Sequence, residues 1–180
     1  MPIRMFVAFV FALLLSLQAS PGFAHGPTPQ KIEHRITVAS SPTVVWAIVG
    51  DFPNLAAWHP LVSQSTGTGG NGNGAERTVT LKGGGVIVEG LDEYDEAGRN
   101  YTYRLSRENL EAFPVSFYTA TLTVNAAGDG SSEVIWQGRF YRGDTGNYPP
   151  DNLNDAAAIA AMTNYFNVGL EGLKAKIAGH

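Results

Sequence analysis

The chain contains no cysteine, which excludes thiol catalysis and disulfide bridges. It is also poor in charge: 16% of residues are charged, and the net charge is −4. That weakly acidic balance argues against nucleic acid or an anionic membrane as partner. No catalytic signature stands out. The sequence lacks a G-x-S-x-G elbow and zinc motifs of the H-E-x-x-H type. The glycine-dense stretch "TGTGGNGNGAE" has no phosphate-binding Lys-Ser/Thr. The apolar run from Met5 to Leu15 is too short to span a membrane, which takes about 20 residues.

That short run instead reads as part of a leader. In "MPIRMFVAFVFALLLSLQASPGFA", one cation, Arg4, precedes the apolar run, and Gly22-Phe23-Ala24 offers a small-x-small cleavage site. Residues 1–24 are therefore expected to be a secretory signal cleaved after Ala24. No cysteine follows the run, so no lipid anchor is expected. The mature chain, His25 to His180, would hold 11 Lys+Arg against 16 Asp+Glu, a net charge of −5. A soluble periplasmic protein is expected, with no membrane association in the mature form.

The whole chain is 44% hydrophobic and of single-domain length, enough for a substantial core. Residues 25–31 read as an extended lead-in. In "KIEHRITVAS", Ile32, His34, Ile36 and Val38 alternate with polar residues, a strand with one apolar face. "SSPTVVWAIV" places Ser and Pro before an apolar run, a helix start, and Gly50 ends it. "FPNLAAWHP" is a second short helix, opened near Pro53 and stopped by Pro60. Strands are expected at 77–82, 86–94, 101–106, 116–124 and 133–141, with short turns that imply an antiparallel meander. Toward the C-terminus the period changes. Ile159, Met162, Phe166, Leu170, Leu173 and Ile177 make one stripe on a long helix, with Asp151, Asn152, Asn154 and Asp155 at its start. The predicted class is α+β: an antiparallel sheet wrapped around the long helix, with two short helices plugging one end.

Against that order, "ITVASSPTVVWAIVGDFPNLAAWHP", "GAERTVTLKGGGVIVEGLDEYDEAGRNYTYRL" and the late Trp of "EVIWQGRF" resemble the SRPBCC superfamily, which includes START, Bet v 1 and polyketide-cyclase-like proteins. The resemblance covers nearly all of the mature chain and implies a helix-grip domain over residues 32–180. "HGPTPQKIE", "ENLEAFPVSFYTATLTV" and "GRFYRGDTGNYPP" are similar to the exported MxaD-like accessory proteins of methanol oxidation. This implies a non-enzymatic role beside methanol dehydrogenase and its cytochrome c acceptor, with no cofactor. The fold itself implies an alternative, a carrier or sensor of a small hydrophobic ligand, and more distantly a cyclase-like enzyme.

Several residues are candidates for a site. Arg77 and Glu89 match the superfamily pattern G-x-x-R … E-x-L. They form either a structural ion pair or a polar anchor for a ligand. Trp58 is expected at the open end of a cavity, packing there or stacking on a ligand. Its neighbour His59 has no partner at metal-ligand spacing, and no metal site is expected. Tyr101, Tyr103, Tyr118 and Trp136 point to one side of their strands and are further cavity candidates. Arg139, Tyr141, Arg142 and Asp144 are candidates for a partner surface. Asp144 also suits an Asx-capped turn.

Overall fold

A computed structural model describes residues 26–179; the expected leader and its cleavage point lie outside the described residues. The elements are β1 (Gln30–Val38), α1 (Pro42–Val49), a 3-10 helix (Phe52–Ala57), β2 (Val62–Thr68), β3 (Glu76–Leu81), β4 (Val86–Asp95), β5 (Asn100–Arg107), β6 (Val115–Gly128), β7 (Ser131–Arg142), a 3-10 turn (Asp151–Leu153) and α2 (Asp155–Ala178). The strands form one curved antiparallel sheet in the order β1-β7-β6-β5-β4-β3-β2. The long helix α2 lies across its inner face, which is the helix-grip architecture expected.

Local chemistry explains most of the boundaries. β1 alternates half-buried Ile32 and Ile36 with exposed Glu33, Arg35 and Thr37, and starts at Gln30, inside the segment expected as lead-in. Ser41 caps α1 by accepting a hydrogen bond from the Val44 N–H (3.5 Å), and Pro42 takes a first-turn position that needs no N–H donor. Pro53 opens the next segment, which tightens into a 3-10 helix and ends at Trp58, before Pro60. Asn154 caps α2 through the Ala157 N–H (2.9 Å). Asp151 and Asn152, expected at the helix start, belong instead to the preceding 3-10 turn.

Two further expectations are corrected. β2 was not expected, because "VSQSTGT" has almost no apolar residue and runs into the glycine-dense loop. It is an edge strand paired with β3, and after the buried Val62 its side chains are exposed or half-buried. The apolar stripe of α2 is also rotated. Ile159 is 37% exposed, whereas Ala158, Met162, Tyr165, Phe166, Gly169, Leu170 and Leu173 are buried. The helix approaches the sheet so closely that Phe166 stacks on Trp136, with ring centroids 4.4 Å apart and planes within 7°. Gly169 allows this approach: a Cβ there would lie 2.7 Å from the Trp136 ring and 2.8 Å from His59. No helix among the described residues is long and apolar enough to cross a membrane.

Candidate functional site

Strand register brings the interior's one ionic pair among the described residues together. Arg77 on β3 stands directly opposite Glu89 on β4. Both point into the space between sheet and helix, where they are 1% and 0% exposed. Arg77 Nε donates to Glu89 Oε2, and Arg77 Nη1 donates to the Phe52 carbonyl (2.9 Å). The Tyr118 hydroxyl donates to Glu89 Oε1. The guanidinium is flanked by aromatic faces, its Cζ 4.2 Å from the Phe52 ring centroid and 4.7 Å from that of Tyr103. Burial, the largest single influence, opposes the charged form of Arg77, but the Glu89 carboxylate together with Tyr101, Tyr103 and Tyr165 outweighs it and holds the guanidinium's pKa above its ordinary value.

A ring of tyrosines surrounds this pair. Burial, reinforced by the nearby Glu89 charge, pushes the pKa of Tyr103, Tyr118 and Tyr165 well up, and burial raises that of Tyr101. All four are neutral phenols at neutral pH. Tyr103 Oη accepts from Trp136 Nε1 (3.0 Å), which ties β5 to β7. Arg77 Nη2, Tyr101 Oη and Tyr165 Oη are buried with no hydrogen-bond partner among the described residues. Chemically the centre is a buried ion pair inside an aromatic cage. It offers an ordered set of donors and no exposed acid or base.

Trp58 and His59 close this cage from the side of the 3-10 helix. Trp58 is 4% exposed, its ring 5.5 Å from Trp136. It lies inside the core rather than at an open cavity end. The His59 ring lies 4.2 Å from the Tyr165 ring centroid and meets Trp136 edge-on. His59 Nδ1 accepts from the Leu61 N–H (3.2 Å), which leaves the proton on Nε2. Burial pushes the imidazole pKa down to about 3, only partly opposed by the Tyr165 main chain, with the Arg77 charge adding to the fall. His59 is therefore a neutral packing group. Among the described residues, no three His, Asp or Glu side chains gather where they could hold a metal ion.

Trp58, Tyr101, Tyr103, Tyr118 and Trp136, expected to line a cavity, belong to one buried cluster. A hollow of about 280 Å³ lies between α2, the β3–β4 turn and the segment after β5. Leu61, Leu81, Phe113, Ala161 and Tyr165 give it an apolar lining, and Glu111 and Asn164 add polar groups. Its floor is the pair Phe113–Tyr165, 5.4 Å apart, and Phe113 in turn meets Tyr118 edge-on. Tyr165 thus borders both the hollow and the polar cage. The sequence signal for it was the i+3 spacing from Met162, obscured by its polar tip.

The four partner-surface candidates separate. Arg139 is exposed on the outer sheet face, and Tyr141 is half-buried on the same strand. Arg142 turns inward as a clamp: Nε donates to the Asp144 carbonyl (2.8 Å), Nη2 to the Gly146 carbonyl (2.8 Å) and Nη1 to Asp155 Oδ2 (3.0 Å). It ties the end of β7 to the start of α2. Asp144 Oδ1 accepts from the Gly146 N–H (2.7 Å), the Asx turn its sequence suggested.

Comparison with known proteins agrees with this architecture. Residues 29–178 match the family described as polyketide cyclase / dehydrase and lipid transport, and the chain belongs to that family. An uncharacterised protein from Bacillus thuringiensis is similar at 25% identity, covering 83% of this chain and 99% of its own, with a TM-score of 0.69. The protein XoxI from Bacillus cereus is similar at 26% identity, covering 82% and 95%, also with a TM-score of 0.69. The Zhui aromatase/cyclase from Streptomyces sp. R1128 shares the fold at 17% identity, covering 84% and 94%, with a TM-score of 0.67. No curated protein matches the chain.

Proposed function

We propose that this family member is an exported accessory protein that acts by contact, without catalysis of its own. Its partners in this reading are methanol dehydrogenase or the cytochrome c that accepts its electrons. The observation that carries the reading is the sealed interior. Arg77 and Glu89 neutralise each other at 1% and 0% exposure, and Tyr118 takes the second carboxylate oxygen. Both Glu89 oxygens are already taken, by Arg77 and by Tyr118, an arrangement that suits a structural pair better than a free acid or base. The MxaD-like stretches in the sequence supply the choice of partner. The test is the rate of cytochrome c reduction by methanol dehydrogenase with and without the mature protein at low ionic strength. Stimulation that declines as salt rises is the expected result. No change in rate would end the reading. Export is checked by intact mass of the secreted protein, which should begin at His25.

A second reading is favoured by the hollow beside α2. Its apolar lining, with Glu111 and Asn164 at hand, suits a small apolar molecule with one polar atom. Native mass spectrometry of protein purified from its source would find such a molecule retained, and Ala161→Trp would displace it.

A further inference from the structure

Phe117 is a residue that the fold alone does not account for. It is 71% exposed and takes no part in the buried core. Its φ of +48° is a left-handed conformation that a bulky side chain rarely adopts. The register between β6 and β7 slips between Ser116 and Thr119, and Phe117 sits in that slip. The slip has a structural use, because it turns Tyr118 inward to Glu89. Glycine or asparagine would hold the same backbone with less strain. An exposed phenylalanine there adds a large apolar surface at the expense of the backbone, which points to a contact outside the chain.

The surroundings of Phe117 state the chemistry of that contact. Two residues further along β6, Thr119 pairs with Arg139, which pairs with Lys31 on β1. These residues border an outer hollow of about 480 Å³ that Thr121, Gln137 and Glu33 also line, the Glu33 carboxylate being engaged by Arg35. Arg35 is occupied by Glu33 and Glu133, and Arg104 by Asp92. Lys31 and Arg139 have no ion-pair partner among the described residues. Exposed aromatic and arginine side chains together are the composition of an interface centre. Two free cations are too few for a nucleic acid or an anionic membrane, which gain affinity from many charge contacts, but suffice for a short acidic segment.

We propose that this outer face docks an acidic segment of a partner protein, with carboxylates on Lys31 and Arg139 and an apolar side chain on the Phe117 ring. The proposal deepens the accessory reading and rests on it for the partner's identity, and its surface replaces Arg142 and Asp144 with Phe117 and Lys31. Two measurements separate the two ideas. In the first, the isotope-labelled mature protein is titrated with the peptide Glu-Glu-Leu-Glu-Glu and with Lys-Lys-Leu-Lys-Lys. Amide shifts around Lys31, Phe117 and Arg139 with the acidic peptide alone support the surface, and both K31E/R139E and F117G should weaken that binding about tenfold. F117G should leave the melting temperature unchanged or raised, which a structural role for the ring would not allow. No shifts on this face, or shifts produced instead by anionic phospholipid vesicles, overturn the proposal. In the second, the same variants are added to methanol dehydrogenase and cytochrome c. If the wild type stimulates and the variants stimulate equally, the surface is wrong and the accessory reading stands. If the wild type does not stimulate but the acidic peptide still maps to this face, the accessory reading fails and the docking surface stands.

Discussion

The inner and outer faces of the sheet handle charge in opposite ways. On the inner face one arginine and one glutamate are sealed among Phe52, Tyr103 and Tyr118, each held by more than one contact. On the outer face, ion pairs such as Arg104–Asp92 lie in water, with side chains 56% and 28% exposed. The same chemical pairing therefore has different consequences. Inside, each charge exists only because the other is there. Outside, water replaces a lost partner at little cost.

The largest expected effect comes from unpairing the inner charges. Glu89→Ala leaves the Arg77 guanidinium and the Tyr118 hydroxyl buried without their acceptor, and should cost about 3–5 kcal/mol in chemical denaturation. Replacing the whole group, Arg77→Met with Glu89→Leu and Tyr118→Phe, should be far milder, because no polar atom of the group remains to be satisfied. If the triple variant is as unstable as Glu89→Ala, packing volume rather than charge matching sets the stability of the inner face.

Titration of His59 sharpens the comparison next. Its folded pKa of about 3 lies below its ordinary value. The unfolded chain therefore binds the proton first as pH falls below about 6.5. The stabilising contribution is complete above that value and is lost progressively toward the folded pKa, at a slope of up to about 1.4 kcal/mol per pH unit. Denaturation midpoints measured from pH 7 down to about pH 4 should fall less steeply in His59→Gln than in the wild type. Equal slopes would mean that carboxylates alone govern the acid limb.

Crowding of the inner face is a smaller effect. Gly169→Ala places a Cβ against Trp136 and His59, and should cost about 1–3 kcal/mol by overpacking, measured in the same denaturation. At the weak end stands the outer face. Arg104→Ala should change stability by less than about 1 kcal/mol. A larger loss would show that the outer ion pairs act as a network rather than as solvated pairs.

How far the sequence reveals these faces depends on the kind of signal. Strands with alternating apolar residues were legible, because one buried face imposes a period of two, whereas Arg77 and Glu89 were singled out by their resemblance to the superfamily pattern. The N-caps of the helices were legible for the same local reason. β2 was not, since an edge strand with one buried apolar residue, Val62, carries almost no apolar code. Tyr165 was missed because a phenol in a helix reads as polar until its ring is seen against His59 and Phe113. Whether the cage would be hollow or full could not be read from residue types, since the same aromatics line a cavity or fill it depending on helix approach, and Gly169 sets that approach. Arg142 was assigned outward because nothing local announces that a strand-end arginine will reach the first turn of a helix 13 residues later.

The sheet order has a kinetic consequence. β1 is the first strand of the sheet, yet its neighbour is β7, with Gln30 paired to Phe140 and Val38 to Ser132. The opening strand must wait through the synthesis of six others before its hydrogen bonds can close. Closing so long a loop is slow compared with forming hairpins. The remaining strands can zip up as a meander of neighbours, each pairing with the one before it. β1 joins late, and α2 follows β7 in the chain. A molecule truncated anywhere before Ser131 would carry β1 with no partner strand, its Ile32, Ile36 and Val38 side chains uncovered. Refolding of the complete chain should thus contain a step whose rate depends on β1 docking and is insensitive to changes in the β4–β5 hairpin.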